Sequence, residues 1–139
     1  MKWYVIFGLS ALALLALSSL FSYGTPQYAL STIEKVETPS RREQGLSGRI
    51  DIPEDYGMLF VFPKEGDYGF WMKDMLVPID IMWLSDTGTI VGIEHTVSPI
   101  TYPKSFYPPF PVRYVLETRA GIASSSGWIV GTALNLPLE

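Results

Sequence analysis

The chain has 139 residues, no cysteine, ten basic and fourteen acidic side chains, and a formal net charge of −4. The missing cysteines exclude disulfides, thiolate catalysis and thiolate-held metals, and the negative balance opposes nucleic-acid binding. Without cross-links, stability must come from the apolar core.

Met1 and Lys2 are followed by an uncharged apolar run from Trp3 to Phe21. It is expected to enter a membrane as a hydrophobic helix, as an export signal or an anchor over residues 1–24, with Ser22 and Gly24 as small residues suited to cleavage. Lys2, the only charge before the run, stays in the cytoplasm, so the rest of the chain is expected outside it. The expected address is extracytoplasmic, membrane-anchored through residues 3–21 or secreted. Loss of residues 1–24 removes Lys2 and no acid, leaving nine bases against fourteen acids, a charge of −5. About 115 residues remain, enough for one domain.

Residues 25–35 read as a tether and first strand, the strand running over Tyr28–Val36. Thr38-Pro39 opens a short helix, with Ser40 and Glu43 at capping-box spacing, and Gly45 and Gly48 stop it. Met58–Phe62 is apolar at every position, as befits a strand buried on both faces. Pro63-Lys64-Glu65-Gly66 is expected to turn the chain, Gly66 taking a positive φ, and Tyr68–Lys73 to return as the hairpin partner. Pro78–Leu84 and Thr89–Thr96 form a second hairpin across Ser85-Asp86-Thr87-Gly88. Two successive hairpins argue against a βαβ fold.

Five prolines and four aromatics between Val97 and Val112 predict a long loop of polyproline II character. Arg113–Glu117 is a strand, Ala120–Ser126 a helical turn closed by Gly127, and Trp128–Leu136 a last strand. The expected fold of residues 36–139 is one mainly β domain, a small sandwich or barrel with one or two short helices.

Six motifs follow in order: Arg42…Gly45-Leu46…Arg49, Gly57-Met58-Leu59-Phe60, Phe70-Trp71-Met72-Lys73, Pro78-Ile79-Asp80-Ile81, Asp86-Thr87-Gly88-Thr89-Ile90-Val91 and Val115-Leu116-Glu117. In this order the chain closely resembles the domain of unknown function 192 family from about Val36 to Leu136. The resemblance implies a compact β-rich domain, often exported, of no established activity. Where that family usually has Lys-Asn-Thr and Gly-Leu-Met, this chain has Lys73-Asp74-Met75 and Gly45-Leu46-Ser47.

The polar residues within the apolar strands are where function or specificity would sit, because a buried polar group must be partnered. Asp80, Lys73 and Glu117 are the catalytic candidates. Strand parity places Asp80 with Met82 and Leu84. The structural alternative gives Asp80 a cationic partner (Arg49, Lys73 or Arg113) or backbone N–H donors. For Glu117, which shares a face with Arg113 and Val115, the default is a cross-strand pair. Trp71 and Lys73 share a face, which allows a cation–π contact, and Asp74 caps a turn. The ligand-binding candidates are Trp71, Lys73, Asp74, Tyr102, Phe106, Tyr107 and Phe110, since proline-rich segments hold aromatics in place at low entropic cost. A single histidine, His95, and the lack of a G-x-S-x-G motif exclude H-E-x-x-H zinc sites and a nucleophile-elbow triad. No metal or cofactor is expected.

Three functions remain. The first is a membrane-tethered or exported binding or accessory module for an envelope component or peptide. The second is an envelope hydrolase using Asp80 with Lys73 or Glu117. The third is a structural domain with no ligand. The balance of the sequence favours the first and leans away from an enzyme.

Overall fold

The computed structural model describes residues 30–138; the apolar run at 3–21 and the start of the expected first strand lie outside them. Its centre is a five-stranded sheet of β1 (Thr32–Val36), β2 (Tyr56–Gly66), β4 (Ile79–Leu84), β5 (Ile90–Val97) and β7 (Val112–Arg119), in the order β1-β2-β7-β4-β5. β3 (Phe70–Trp71) and β6 (Ser105–Phe106) form a separate two-stranded ribbon. Two short helices, α1 (Pro39–Gln44) and α2 (Ile122–Ser125), complete the domain.

This is an open sheet with its two faces covered by other elements, and neither a closed barrel nor a pair of stacked sheets. The sequence pattern explains the strand order. Tyr56–Phe62 of β2, all of β4 and Tyr114–Thr118 of β7 are buried at every position, and these are the three interior strands. β1, buried only at Val36, and β5, buried only at Ile90, Gly92 and Val97, are the edges.

Parity sorts the core into two layers. Met58, Phe60 and Phe62 of β2 join Ile79, Ile81 and Trp83 of β4 and Val115 of β7 on one face, under Leu46, Phe70, Met72, Met75 and Phe106. Leu59, Val61, Met82, Leu84, Tyr114 and Leu116 occupy the other, under Ile122, Ala123 and Trp128.

Several expectations are corrected. β1 and β2 pair in parallel, from Thr32↔Tyr56 to Val36↔Phe60, with α1 between them. One βαβ unit is therefore present where hairpins had argued against it. Residues 63–66 do not turn the chain back. β2 runs on to Gly66 beside Val112 of β7, and Gly66 is not among the positive-φ residues. The Tyr68–Lys73 segment contributes only β3, which pairs with β6 out of the Pro/aromatic segment, Phe70 opposite Phe106. Trp128–Leu136 is not a strand and makes one isolated bridge, Thr89↔Ala133. The β4–β5 hairpin is as expected, with Gly88 at φ 81° in its turn.

α1 starts as its sequence predicts, with Pro39 in the first turn. Its cap is the Thr38 hydroxyl, which accepts from the Arg41 N–H at 3.4 Å, not a Ser40/Glu43 box. Gly45 ends it at φ 51°, ψ −132°, a backbone region almost closed to residues with a Cβ. Among the described residues no helix is long and apolar enough to cross a membrane.

Candidate functional site

A cleft of about 300 Å³ opens between the C-terminal end of α1, the Tyr68–Trp71 segment and the sheet face carrying Phe60. Five aromatic residues, Phe60, Phe62, Tyr68, Phe70 and Trp71, line it, with Glu117 among them. The rings hold one another. Phe70 meets Phe60 edge to face at 4.9 Å and Phe62 at 6.4 Å, while Phe62 stacks on Tyr68 at 3.6 Å. Such contacts fix ring orientation as well as burying area.

The α1 side is supported by backbone. Past Gly45 the chain crosses to the loop after β3, where the Ser47 hydroxyl donates to the Lys73 carbonyl at 2.9 Å and the Gly48 N–H to the Asp74 carbonyl at 2.9 Å. Asp74 holds φ 56° in that loop, which aspartate tolerates better than most residues. Arg42 lies at the cleft wall, its guanidinium 5.0 Å over the Phe62 ring. It donates to the Val61 carbonyl at 3.0 Å and to the Glu37 carbonyl.

Glu117 is the unusual group. Its residue is 5 % exposed, and among the described residues its carboxyl has no ion-pair or hydrogen-bond partner. Burial alone pushes its pKa up to about 8, because the charged form loses its water and gains nothing in return. At neutral pH it is mainly protonated, a donor as well as an acceptor. The cross-strand pair expected for it is absent. Arg113 donates from Nε to the Phe62 carbonyl at 2.9 Å instead.

Asp80 is sealed on the opposite face of the sheet, fully buried among the residues under α2. Its Oδ1 accepts from the Thr96 N–H at 2.7 Å and its Oδ2 from the Ala123 N–H at 2.9 Å. None of the proposed cations is its partner. Arg49 pairs at 2.8 Å with Glu34, whose carboxylate also accepts from the Tyr56 hydroxyl at 2.5 Å and pairs with Arg41. Tyr56, then Arg49, hold the Glu34 carboxyl below the ordinary range.

Among the remaining candidates, Lys73 lies 5.7 Å over the Trp71 ring and, with Asp74, lines a neighbouring groove that shares Trp71 with the cleft. Tyr102 meets Trp71 edge to face at 5.9 Å. Phe106 is buried in the core, while Tyr107 and Phe110 are exposed. The structure thus brings Glu117 and Trp71 to one cleft, sets Lys73 and Asp74 beside it, and leaves Asp80 behind the sheet. Sequence reasoning missed Phe60, Phe62, Tyr68 and Phe70 as lining residues, because strand apolarity alone does not distinguish a cleft wall from a sealed core. The glycine stop at Gly45 was the available signal, since it ends α1 at the wall of the cleft.

Comparison with known proteins agrees with this architecture. The family model of DUF192, described as an uncharacterised ACR, matches residues 23–136. The chain belongs to the DUF192 family. No curated protein matches it. A crystal structure from Sinorhizobium meliloti 1021, described as a candidate transcription regulator, is similar at 35% identity with a TM-score of 0.68, covering 71% of this chain and 76% of that one. A protein of unknown function from Novosphingobium aromaticivorans DSM 12444 shares the fold at 23% identity and TM-score 0.71, over 75% of this chain and 74% of that one. The DUF192 domain thus has a recurrent fold to which none of these relatives attaches a reaction.

Proposed function

We propose that this DUF192 protein is an extracytoplasmic binding module, tethered to or exported across a membrane by residues 3–21, whose site is the aromatic cleft over Glu117. The observation that carries the reading is a buried, unpartnered carboxyl at an opening lined by five aromatic residues. A carboxyl kept purely for structure is normally given donors, as Asp80 and Glu34 are, so one left without them points to a partner from outside. An apolar pocket with few, placed polar groups is the usual form of a small-ligand site.

The hydrolase reading has less support, because Asp80 and Glu117 lie on opposite faces of the sheet, and the other acid of the cleft, Glu43, is exposed at its lining, away from the buried environment that tunes Glu117. The description given to the Sinorhizobium relative also finds little support here, since the chain is net negative at −4 and would be repelled by a phosphate backbone.

The test is a fragment screen on the full-length chain in a non-ionic detergent, read by amide chemical shifts, beside a Gln44→Trp variant that plugs the mouth of the cleft from the exposed end of α1. Fragments should shift residues around Phe60, Phe70 and Glu117 and lose that effect in Gln44→Trp. Shifts that avoid the cleft, or persist unchanged in the plugged variant, would sink the reading.

A further inference from the structure

The lining of the cleft restricts the chemistry of its occupant. Its other polar side chains are mostly committed: Arg42 to two backbone carbonyls, Ser47 to the Lys73 carbonyl, and the Gln44 carbonyl oxygen to Arg41 at 3.0 Å. Glu117 is left free within, and Glu43 is exposed at the lining. A sugar, with hydroxyls all round, would leave most of them unpaired against Phe60, Phe62 and Phe70, at a cost for each. An anion would meet the exposed Glu43 carboxylate and no free cationic donor, since Arg42 is held by backbone carbonyls. What fits is one polar head that donates hydrogen bonds, carried on an apolar body.

The rings add a sign to that head. Aromatic faces are negative and attract cations, and two cations already rest on rings here: Arg42 on Phe62 and Lys73 on Trp71. From this geometry we infer that the cleft binds an organic ammonium ion, primary or secondary, with its N–H groups directed at Glu117 and its carbon skeleton against Phe60, Phe62, Phe70 and Trp71. The inference rests on the cleft being the binding site and specifies what it takes.

A proton balance follows. Empty, Glu117 holds its proton at neutral pH. An ammonium ion entering beside it favours the carboxylate, so the carboxyl proton leaves to solvent as the ion pair forms. Below about pH 8, affinity should therefore rise about tenfold for each pH unit, then level off once Glu117 is ionised in the empty cleft. The other titratable groups facing the cleft are Arg42 and Glu43 from the α1 side and Tyr68 from the segment before β3, with Lys73 and Asp74 in the adjoining groove.

The experiment compares 2-phenylethylamine with the neutral 2-phenylethanol by calorimetry on the full-length chain in a non-ionic detergent, at pH 6.5 and 7.5. Two buffers of different ionisation enthalpy count the protons released. The amine should bind at least tenfold more tightly than the alcohol, release close to one proton at pH 6.5, and lose that advantage in Glu117→Gln. Gln is close in shape to the protonated carboxyl, and the proton count in the unmutated chain decides the matter even if the variant fails to fold. Equal binding of amine and alcohol, or amine binding without proton release, would overturn the ammonium inference while leaving the cleft as a site. If neither probe binds and the fragment screen is also silent at the cleft, the binding-module reading fails with it.

Discussion

Glu117 and Asp80 are both buried acids on neighbouring strands, yet their surroundings give them opposite roles. Asp80 is fully supplied with donors, and its two backbone hydrogen bonds tie β5 and α2 to β4. Removing it in Asp80→Ala strands two N–H groups and should cost about 3 kcal/mol, seen as a fall in the urea midpoint; Asp80→Asn keeps one acceptor oxygen and should cost about half. A loss below about 1 kcal/mol in Asp80→Ala would contradict a structural role. Glu117 works in the other direction. Its folded pKa of about 8 lies above the ordinary 4.5, so the folded state binds the extra proton. Its contribution to stability is complete below the ordinary value and is lost as pH rises towards the folded one, by about 1.4 kcal/mol per pH unit. Chemical denaturation of the native chain and Glu117→Gln from pH 4 to 9 should show the native chain losing stability across that window relative to the variant. Parallel curves would mean that Glu117 is not desolvated.

Among the elements, α1 and the turn after it matter most to the cleft. Gly45 at φ 51°, ψ −132° ends the helix and turns the chain toward the loop carrying Asp74. Gly45→Ala should cost about 2 kcal/mol in thermal stability from backbone strain, and should weaken fragment binding at the cleft, because the wall is misplaced. Much of this element layout was legible in the sequence. The all-apolar runs of β2 and β4, the Gly88 turn and the proline start of α1 are local patterns, and each appears at its expected place. What was not legible depended on pairing. Phe70-Trp71 reads as a hairpin strand whether its partner is β2 or, as found, a two-residue piece of the Pro/aromatic segment. The parallel β1–β2 ladder is set by α1 carrying the chain back, which a six-residue helix barely announces. Glu117 could be picked out by its chemistry alone, but its lack of a partner follows from Arg113 turning to the Phe62 carbonyl, a long-range choice.

At the scale of the whole molecule, the proposed leader over residues 1–24 and the domain make separate predictions. Full-length protein should fractionate with membranes and be released by detergent but not by high salt, whereas the chain begun at Thr25 should be soluble. Recovery of the full-length chain in the cytosolic fraction would refute the proposed address. Eight residues separate Phe21 from Leu30, which at full extension reach about 30 Å, so an anchored domain would stay close to the bilayer. The place where that link enters the fold has a mechanical consequence. It leads into the edge strand β1, which runs beside β2 over five matched positions, Thr32↔Tyr56 to Val36↔Phe60. Tension transmitted through the link would pull along this strand, so its bonds would share the load in shear instead of unzipping singly. A protein dragged by its leader would thus resist force at the very point where the force arrives.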